Sequence, residues 1–478
     1  MAKSPRSTPG RSQHPVLGKK FAATGSWQRE WLPLAVIGTL SGVAFGLWAW
    51  RGQAVDQAAP LPNPLPQTAP PAPPPPPPPP PPLQAAELEK AQKGADGHLV
   101  LPRQPAPRPT TLRSDLQDGV EAYLNSTGLA YGAVVLVDPQ TGNVLAMAET
   151  RDEADQVGAI GRLTEPTVPA ASVIKVVTAA ALLENGLTPE STACFHGGLH
   201  GLDNSHLVEK ATDRRCETLT EALARSSNAA FARFALRDLP EGALTRTAEA
   251  FGFNRAIASD VAVVPSRFAD GATKLDRARA AAGFAGSTLS PLHAAWLAAV
   301  VASDGRVERL SAWQDNGSAA GLLADPAKAP PAISPATAAA LRQMMVQTTI
   351  AGTGRNAFGA RPKSLRGMEI GGKTGSLSAP EGELFRHVSW FLGFAPADHP
   401  KVAVAALAIN GWKWKVKAPA LARDSLGLYF DRAGKETAAA LPSRASLAKA
   451  APQWPVEPGP QAQAILPAAP LDATALRL

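Results

Sequence analysis

At 478 residues the chain has room for two or three domains, but its 47 prolines and its formal charge of +7 are unevenly spread. The first 30 residues hold Lys3, Arg6, Arg11, Lys19, Lys20 and Arg29 against Glu30, a net of +5, so the rest of the chain carries only +2. The high isoelectric point therefore belongs to a basic tail, and no nucleic-acid partner is expected.

Behind that tail, Trp31–Trp50 is uncharged and mostly apolar. At about 1.5 Å per residue it reaches roughly 30 Å, the thickness of a bilayer core, which predicts one transmembrane helix. A cleaved signal peptide is the alternative, but the run is long and no Ala-x-Ala-like site closes it. The basic flank predicts N-in topology, so everything after Arg51 is expected outside the cytoplasm. Proline dominates 51–110, with an unbroken run from Pro73 to Pro82. Such a stretch predicts a polyproline II spacer rather than helix or sheet, and an SH3-type ligand role does not suit the outer face. The globular part is expected over 111–438, and the Ala- and Pro-rich 439–478 is expected to be disordered.

Within the globular part, Leu112–Asn125 has helical spacing, and Tyr131–Val137 and Asn143–Glu149 form a hairpin about Asp138-Pro139-Gln140-Thr141-Gly142. Pro169–Gly186 reads as one helix, with proline suited to its start and glycine to its end. Ser172 and Lys175 stand three apart on one face of it. A hydroxyl becomes a nucleophile when a base takes its proton, and a lysine is such a base if burial or a second cation lowers its pKa. The bland alternative is a helix-surface pair.

Cys194 and Cys216 are the only cysteines, and outside the cytoplasm one disulfide is favoured. His196, His200 and His206 lie between them, so a zinc site is a competing arrangement, and two free thiols a third. Thr218–Leu236 reads as helical, but Arg225-Ser226-Ser227-Asn228 interrupts its apolar face as either a solvated kink or a site. Ser290–Ser303 and Ser334–Thr349 read as helices opened by Ser-Pro pairs.

Three strands close the domain: Met368–Ser376, His387–Ala395 and Val402–Ile409. Together with the first hairpin they predict one antiparallel sheet with helices on both faces. Gly367–Thr374 satisfies the P-loop pattern letter by letter, but Gly375 and Pro380 follow where a phosphate-binding helix must open. On a strand beside Ser172, Lys373 instead supplies a cation and Thr374 a hydroxyl for a substrate carboxylate. Gly375 leaves space for the substrate, and the Ser376 N–H is available to an oxyanion.

Ser172-x-x-Lys175, Ser226-x-Asn228 and Lys373-Thr374-Gly375, in this order, resemble the motif set of penicillin-binding proteins and serine β-lactamases. The resemblance to a penicillin-binding transpeptidase domain covers roughly Asp115–Phe430 and extends to the Ala133–Ala148 hairpin, the Thr218–Asn228 helix, Gly352-Thr353-Gly354 and Trp390–Phe394. It implies an α/β fold of the α+β type: a five-stranded antiparallel sheet covered by helices on both faces, plus an all-helical subdomain. It also implies acyl transfer on peptidoglycan stem peptides ending in D-Ala-D-Ala, covalent binding of β-lactams, and no cofactor or metal.

By that analogy Ser172 is the nucleophile and Lys175 its base, with the N–H groups of Ser172 and Ser376 as oxyanion donors. Ser226 and Lys373 pass a proton to the leaving D-Ala, Asn228 orients substrate or Lys175, and Thr374 with Ser376 takes the terminal carboxylate. A D,D-carboxypeptidase shares these motifs. A class D-like β-lactamase or sensor more often has Val at position 228, and the class A motif Glu-x-x-Leu-Asn occurs here only as Glu121–Asn125, ahead of Ser172. A catalytically weak cell-wall scaffold is the non-enzymatic alternative. No glycosyltransferase or pedestal module fits ahead of the domain, so the expected protein is a monofunctional enzyme anchored in the bacterial inner membrane by a single pass, with other cell-wall synthesis proteins as possible partners.

Overall fold

The computed structural model describes residues 81–152, 154, 162–198, 201–307, 309–314, 331–381 and 384–440. The basic tail, the expected membrane span, the linker before residue 81 and the tail beyond 440 lie outside the described residues. Among the described residues no helix is long and apolar enough to cross a membrane.

The expected spacer yields structure earlier than its composition suggests. A 3-10 turn at Ala85–Lys90 leads into β1 (Gln92–Lys93), β2 (His98–Leu101) and β3 (Arg108–Arg113), a three-stranded sheet. Residues 83–110, ahead of the expected boundary at 111, are therefore already part of the folded body. Apolar side chains tie this stretch in: Leu83, Leu99, Leu101 and Leu112 are buried in the main core. Arg103 and Arg108 each lie 4.6 Å from the ring centre of the buried Trp313. Prolines on a short edge segment do not prevent pairing where the missing N–H groups face away.

Then follow α1 (Ser114–Ser126), β4 (Tyr131–Val137), β5 (Val144–Arg151), β6 (Val168–Pro169), a 3-10 turn at Ala171–Ile174 and α2 (Lys175–Glu184). β7 (Thr192–Phe195) and β8 (Arg215–Thr218) pair as a separate ribbon. The helical part comprises α3 (Leu219–Arg225), α4 (Asn228–Asp238), α5 (Ala243–Ala250) and α6 (Lys274–Ala282), with β9 (Arg267–Phe268) and β10 (Ser287–Leu289) joining β6 in a small sheet. After α7 (Pro291–Ala302), α8 (Pro335–Ile350) and α9 (Arg355–Gly359) come β11 (Gly371–Glu381), β12 (Leu384–Ala395), β13 (Val402–Asn410) and α10 (Ala418–Ala440).

The central sheet is antiparallel and five-stranded, in the order β11-β12-β13-β4-β5. It is buried on both faces, and the period of two divides its side chains cleanly. Val135, Val137, Leu407, Ile409, Trp390 and Leu392 join the larger core with α2 and α7, whereas Val134, Leu136, Val404, Ala406 and Phe391 pack with α1 and α10. α7 is buried along all twelve residues, which explains why its sequence has no polar face. As the Ser-Pro pairs predict, Ser290 Oγ accepts from the His293 N–H at 3.3 Å and Ser334 Oγ from the Thr337 N–H at 3.2 Å.

Candidate active site

Pro169–Gly186 is not one regular helix. Pro169 is in β6, paired with Thr288, and the Trp390 indole N–H donates to its carbonyl at 2.9 Å. Ala171 has φ of 49°, so the chain turns before helical hydrogen bonding begins, and Ser172 sits in the 3-10 turn just ahead of α2. The approach of Gly283 fixes this turn: a methyl group there would stand 2.2 Å from the Ala171 carbonyl oxygen.

Lys175, the first residue of α2, has no solvent exposure. Its Nζ lies 2.8 Å from Ser172 Oγ and donates to Asn228 Oδ1 at 2.7 Å and to the Ala282 carbonyl. Ala282 ends α6, where carbonyls lack partners within their own helix; Thr178 Oγ1 likewise donates to Ala281 at 2.9 Å. Burial first, and then the charge of Lys373, holds the Lys175 pKa well below 10.5. A neutral amine has two N–H bonds and one lone pair. In that neutral form, with both hydrogens directed at the Asn228 and Ala282 oxygens, the lone pair would face the Ser172 hydroxyl.

The polar break in the expected 218–236 helix is a real interruption. Ser226 adopts the left-handed conformation, φ 58° and ψ 39°, and separates α3 from α4. Ser227 caps α4, accepting from the Ala230 N–H, while the Ser226 hydroxyl turns to Lys373, whose Nζ donates to it at 2.9 Å. Lys373 is also fully buried, and burial lowers its pKa to about 7. Its Nζ donates to the Thr374 carbonyl at 2.7 Å.

Thr374, Gly375 and Ser376 lie along β11, and no helix opens after Lys373-Thr374, so the P-loop geometry is absent there. A Cβ on Gly375 would stand 3.3 Å from the Ser172 backbone nitrogen, from Trp390 Cβ and from Val173 Cγ1, so glycine lets the strand lie against the Ser172 turn. Ser172, Ser226, Asn228, Thr374 and Ser376 line one cleft of about 740 Å³. No Asp or Glu lines it among the described residues.

Two contributors carried no distinct signal in the sequence. Thr353 shares a 2.6 Å hydrogen bond between its Oγ1 and that of Thr374, while its own N–H donates to the Ala224 carbonyl at 3.0 Å. The α6 terminus supplies the Ala282 oxygen. The first belongs to a stretch noted only for resemblance, and the second is a main-chain atom that no side-chain pattern announces.

Cys194 and Cys216 face each other across β7 and β8 and are joined by a disulfide, apart from the cleft-lining residues. The zinc alternative fails for want of thiolates, and among the described residues no group of three or more His, Cys, Asp or Glu could hold a metal. His200 lies outside the described residues. His196 instead pairs with Asp213 and stacks on His206 at 5.4 Å, and Arg233 of α4 reaches Asp213 at 2.9 Å. That pair ties the disulfide ribbon to the helix that begins with Asn228.

A central antiparallel sheet, flanking helices and a helical part around such a cleft define the transpeptidase and β-lactamase-like architecture. Residues 132–423 match the penicillin-binding protein transpeptidase domain, and the chain belongs to that family. It is 28% identical over 342 residues to the peptidoglycan D,D-transpeptidase PbpA of Mycolicibacterium smegmatis, covering 63% of this chain and 67% of that one. It is 26% identical over 348 residues to the peptidoglycan D,D-transpeptidase MrdA of Haemophilus influenzae, covering 63% and 53%. The chain thus spans between about half and two thirds of the length of these curated relatives. An imipenem acyl-enzyme complex of penicillin-binding protein A from Mycobacterium tuberculosis matches with a TM-score of 0.52 at 26% identity, over 67% of this chain and 78% of that one. The transpeptidase domain of penicillin-binding protein 3 from Burkholderia pseudomallei, at 20% identity and a TM-score of 0.55, shares the fold.

Proposed function

We propose that the protein is a peptidoglycan D,D-transpeptidase that works through an acyl-enzyme on Ser172. The observation that carries this reading is the seating of Lys175: buried, depressed in pKa, with two N–H bonds engaged and the third position on Ser172 Oγ at 2.8 Å. Ser172 Oγ attacks the penultimate D-Ala carbonyl and gives its proton to Lys175 Nζ. The oxyanion forms between the N–H groups of Ser172 and Ser376. Collapse breaks the C–N bond, and the leaving D-Ala amine takes a proton through Ser226 and Lys373, leaving an ester on Ser172. The amine of a neighbouring stem attacks that ester, the cross-link forms, and Ser172 Oγ is reprotonated. Thr374, held by Thr353, receives the terminal carboxylate together with Ser376.

Relatives described as D,D-transpeptidases support this over a β-lactamase. The basic tail and Trp31–Trp50 support a single-pass anchor that holds the domain outside the cytoplasm.

The test is labelling of the full chain with a fluorescent penicillin, beside Ser172→Ala, followed over hours. A stable adduct on wild type that is lost in S172A is the expected result, and turnover of stem peptides with an added acceptor amine then separates transfer from hydrolysis. Fading label with consumed antibiotic means a β-lactamase, and no adduct overturns the acyl-enzyme.

A further inference from the structure

The cleft extends beyond Thr374 and Ser376 to Ser378 and, at its rim, to Lys417. The period of two places Thr374, Ser376 and Ser378 on one face of β11, opposite Phe391, Ser389 and His387 of β12. A ledge continues from Ser378. Its hydroxyl is 2.7 Å from His387 Nδ1, and His387 Nε2 donates to the Trp412 carbonyl at 3.3 Å. Trp414 stacks on His387 with ring centres 4.6 Å apart, and Lys417 Nζ stands 4.6 Å from the centre of the Trp414 ring.

Lys417 is held from its other side too. The next residue, Ala418, donates its N–H to Ser389 Oγ at 3.1 Å, which pins the start of α10 to β12. The backbone at Lys417 is thus held at the rim while its side chain is exposed. Among the described residues lining the cleft it is the one charged side chain. Lys175 and Lys373, by contrast, are buried and committed to Ser172, Asn228 and Ser226.

The direction of a bound peptide follows from the proposed function, on which this inference rests. With its terminal carboxylate at Thr374 and its scissile carbonyl between Ser172 and Ser376, the upstream part of the stem runs toward Ser378. At about 3.3 Å per residue, two or three residues of extended chain reach the ledge. An exposed ammonium lying 4.6 Å over the Trp414 ring at this point favours a negative charge.

We propose that Lys417 is a specificity-determining residue that receives a carboxylate carried by the donor stem two or three residues upstream of the scissile bond, with the Trp414 and His387 rings as the platform that positions it. The site distinguishes stems with a free carboxylate at that point from stems in which it is a carboxamide.

The test uses the full chain in detergent and paired synthetic peptides ending in D-Ala-D-Ala, identical except for a free carboxylate or its carboxamide at the upstream position. Wild type is expected to favour the carboxylate by about fivefold in kcat/KM, mostly through KM, with the preference shrinking as salt rises. Lys417→Gln brings the ratio to about one, and Lys417→Glu inverts it. Equal use of the two peptides by wild type, or a preference that survives K417E, overturns the proposal. Penicillin labelling of the same wild-type sample separates the two readings: an adduct without carboxylate preference sinks this inference alone, and no adduct sinks both.

Discussion

Lys175 and Lys373 are two fully buried amines, and the charge of Lys373 holds the Lys175 pKa lower than burial alone would. Their titrations are linked, so the rising limb of acylation with pH belongs to the pair. That limb is expected well below the 10.5 of a free lysine. Replacing Lys373 with Met removes the neighbouring cation, raises the Lys175 pKa and moves the limb to higher pH. Stopped-flow acylation by a chromogenic β-lactam across pH 5–10 measures it, and a limb that stays or moves down contradicts the coupling.

The same amine has a signature in stability. The folded Lys373 pKa of about 7 lies below its unfolded value of 10.5. Below pH 7 both states hold the proton and folding bears the full cost of burying the charge. Between 7 and 10.5 the unfolded chain binds more protons, so that cost fades as pH rises. The deficit of wild type against K373M in denaturant midpoint should therefore shrink from pH 7 to 9.

Asn228 separates orientation from electrostatics at Lys175. In Asn228→Asp a carboxylate beside the amine favours its charged form, so acylation at neutral pH falls on the order of 100-fold and recovers as pH rises. In Asn228→Ala one acceptor for the amine hydrogens is lost, and the lone pair loses its direction at every pH. Rate profiles of the two variants that coincide would sink the assignment of Asn228 as the group that aims Lys175.

Gly283, φ +86°, and Gly186, φ +93°, make a controlled pair. A methyl group on Gly283 meets the Ala171 carbonyl oxygen, whereas one on Gly186 has no atom within 4 Å. Both Ala substitutions strain the backbone by about 1 kcal/mol or more. Gly283→Ala must also displace the Ser172 turn or the Ala282 carbonyl, so it alone should slow acylation, by about tenfold or more. Melting curves together with labelling rates check this, and equal labelling by the two variants argues against it.

The Cys194–Cys216 bridge closes a loop with a sequence separation of 22, worth about 3 kcal/mol in chain entropy. Replacing both cysteines with Ala should lower the melting temperature. Penicillin labelling well below that temperature should persist, because the Arg233–Asp213 pair still ties the ribbon to α4. Loss of labelling in a folded double variant would show that the bridge shapes the site itself.

Much of this was legible because side-chain chemistry and hydrophobic period act locally. The hairpin, the three closing strands, the Ser-Pro caps and the three polar motifs each announce themselves within a few residues. What escaped depends on distant parts of the chain. The fold of 83–110 is driven by leucines joining the main core, and by Arg103 and Arg108 lying over Trp313, against a proline-rich composition. The split of the second-motif helix turns on the left-handed backbone of Ser226. Ala282 and Thr353 act through a main-chain oxygen and a long-range contact, so only the assembled fold brings them to Lys175 and Thr374.

The strand order β11-β12-β13-β4-β5 leaves β11, among the described residues, with a strand neighbour on one flank only. An extended peptide lying in the cleft can complete that ladder as a sixth strand, bonded to main-chain N–H and C=O groups rather than to side chains. Those groups are the same whatever residue carries them, and only proline deletes a donor. A ligand that draws its affinity from this edge is therefore hard to escape by substitution: variants can alter Thr374, Ser376 or Lys417, but the pairing edge changes only if the sheet itself is rebuilt.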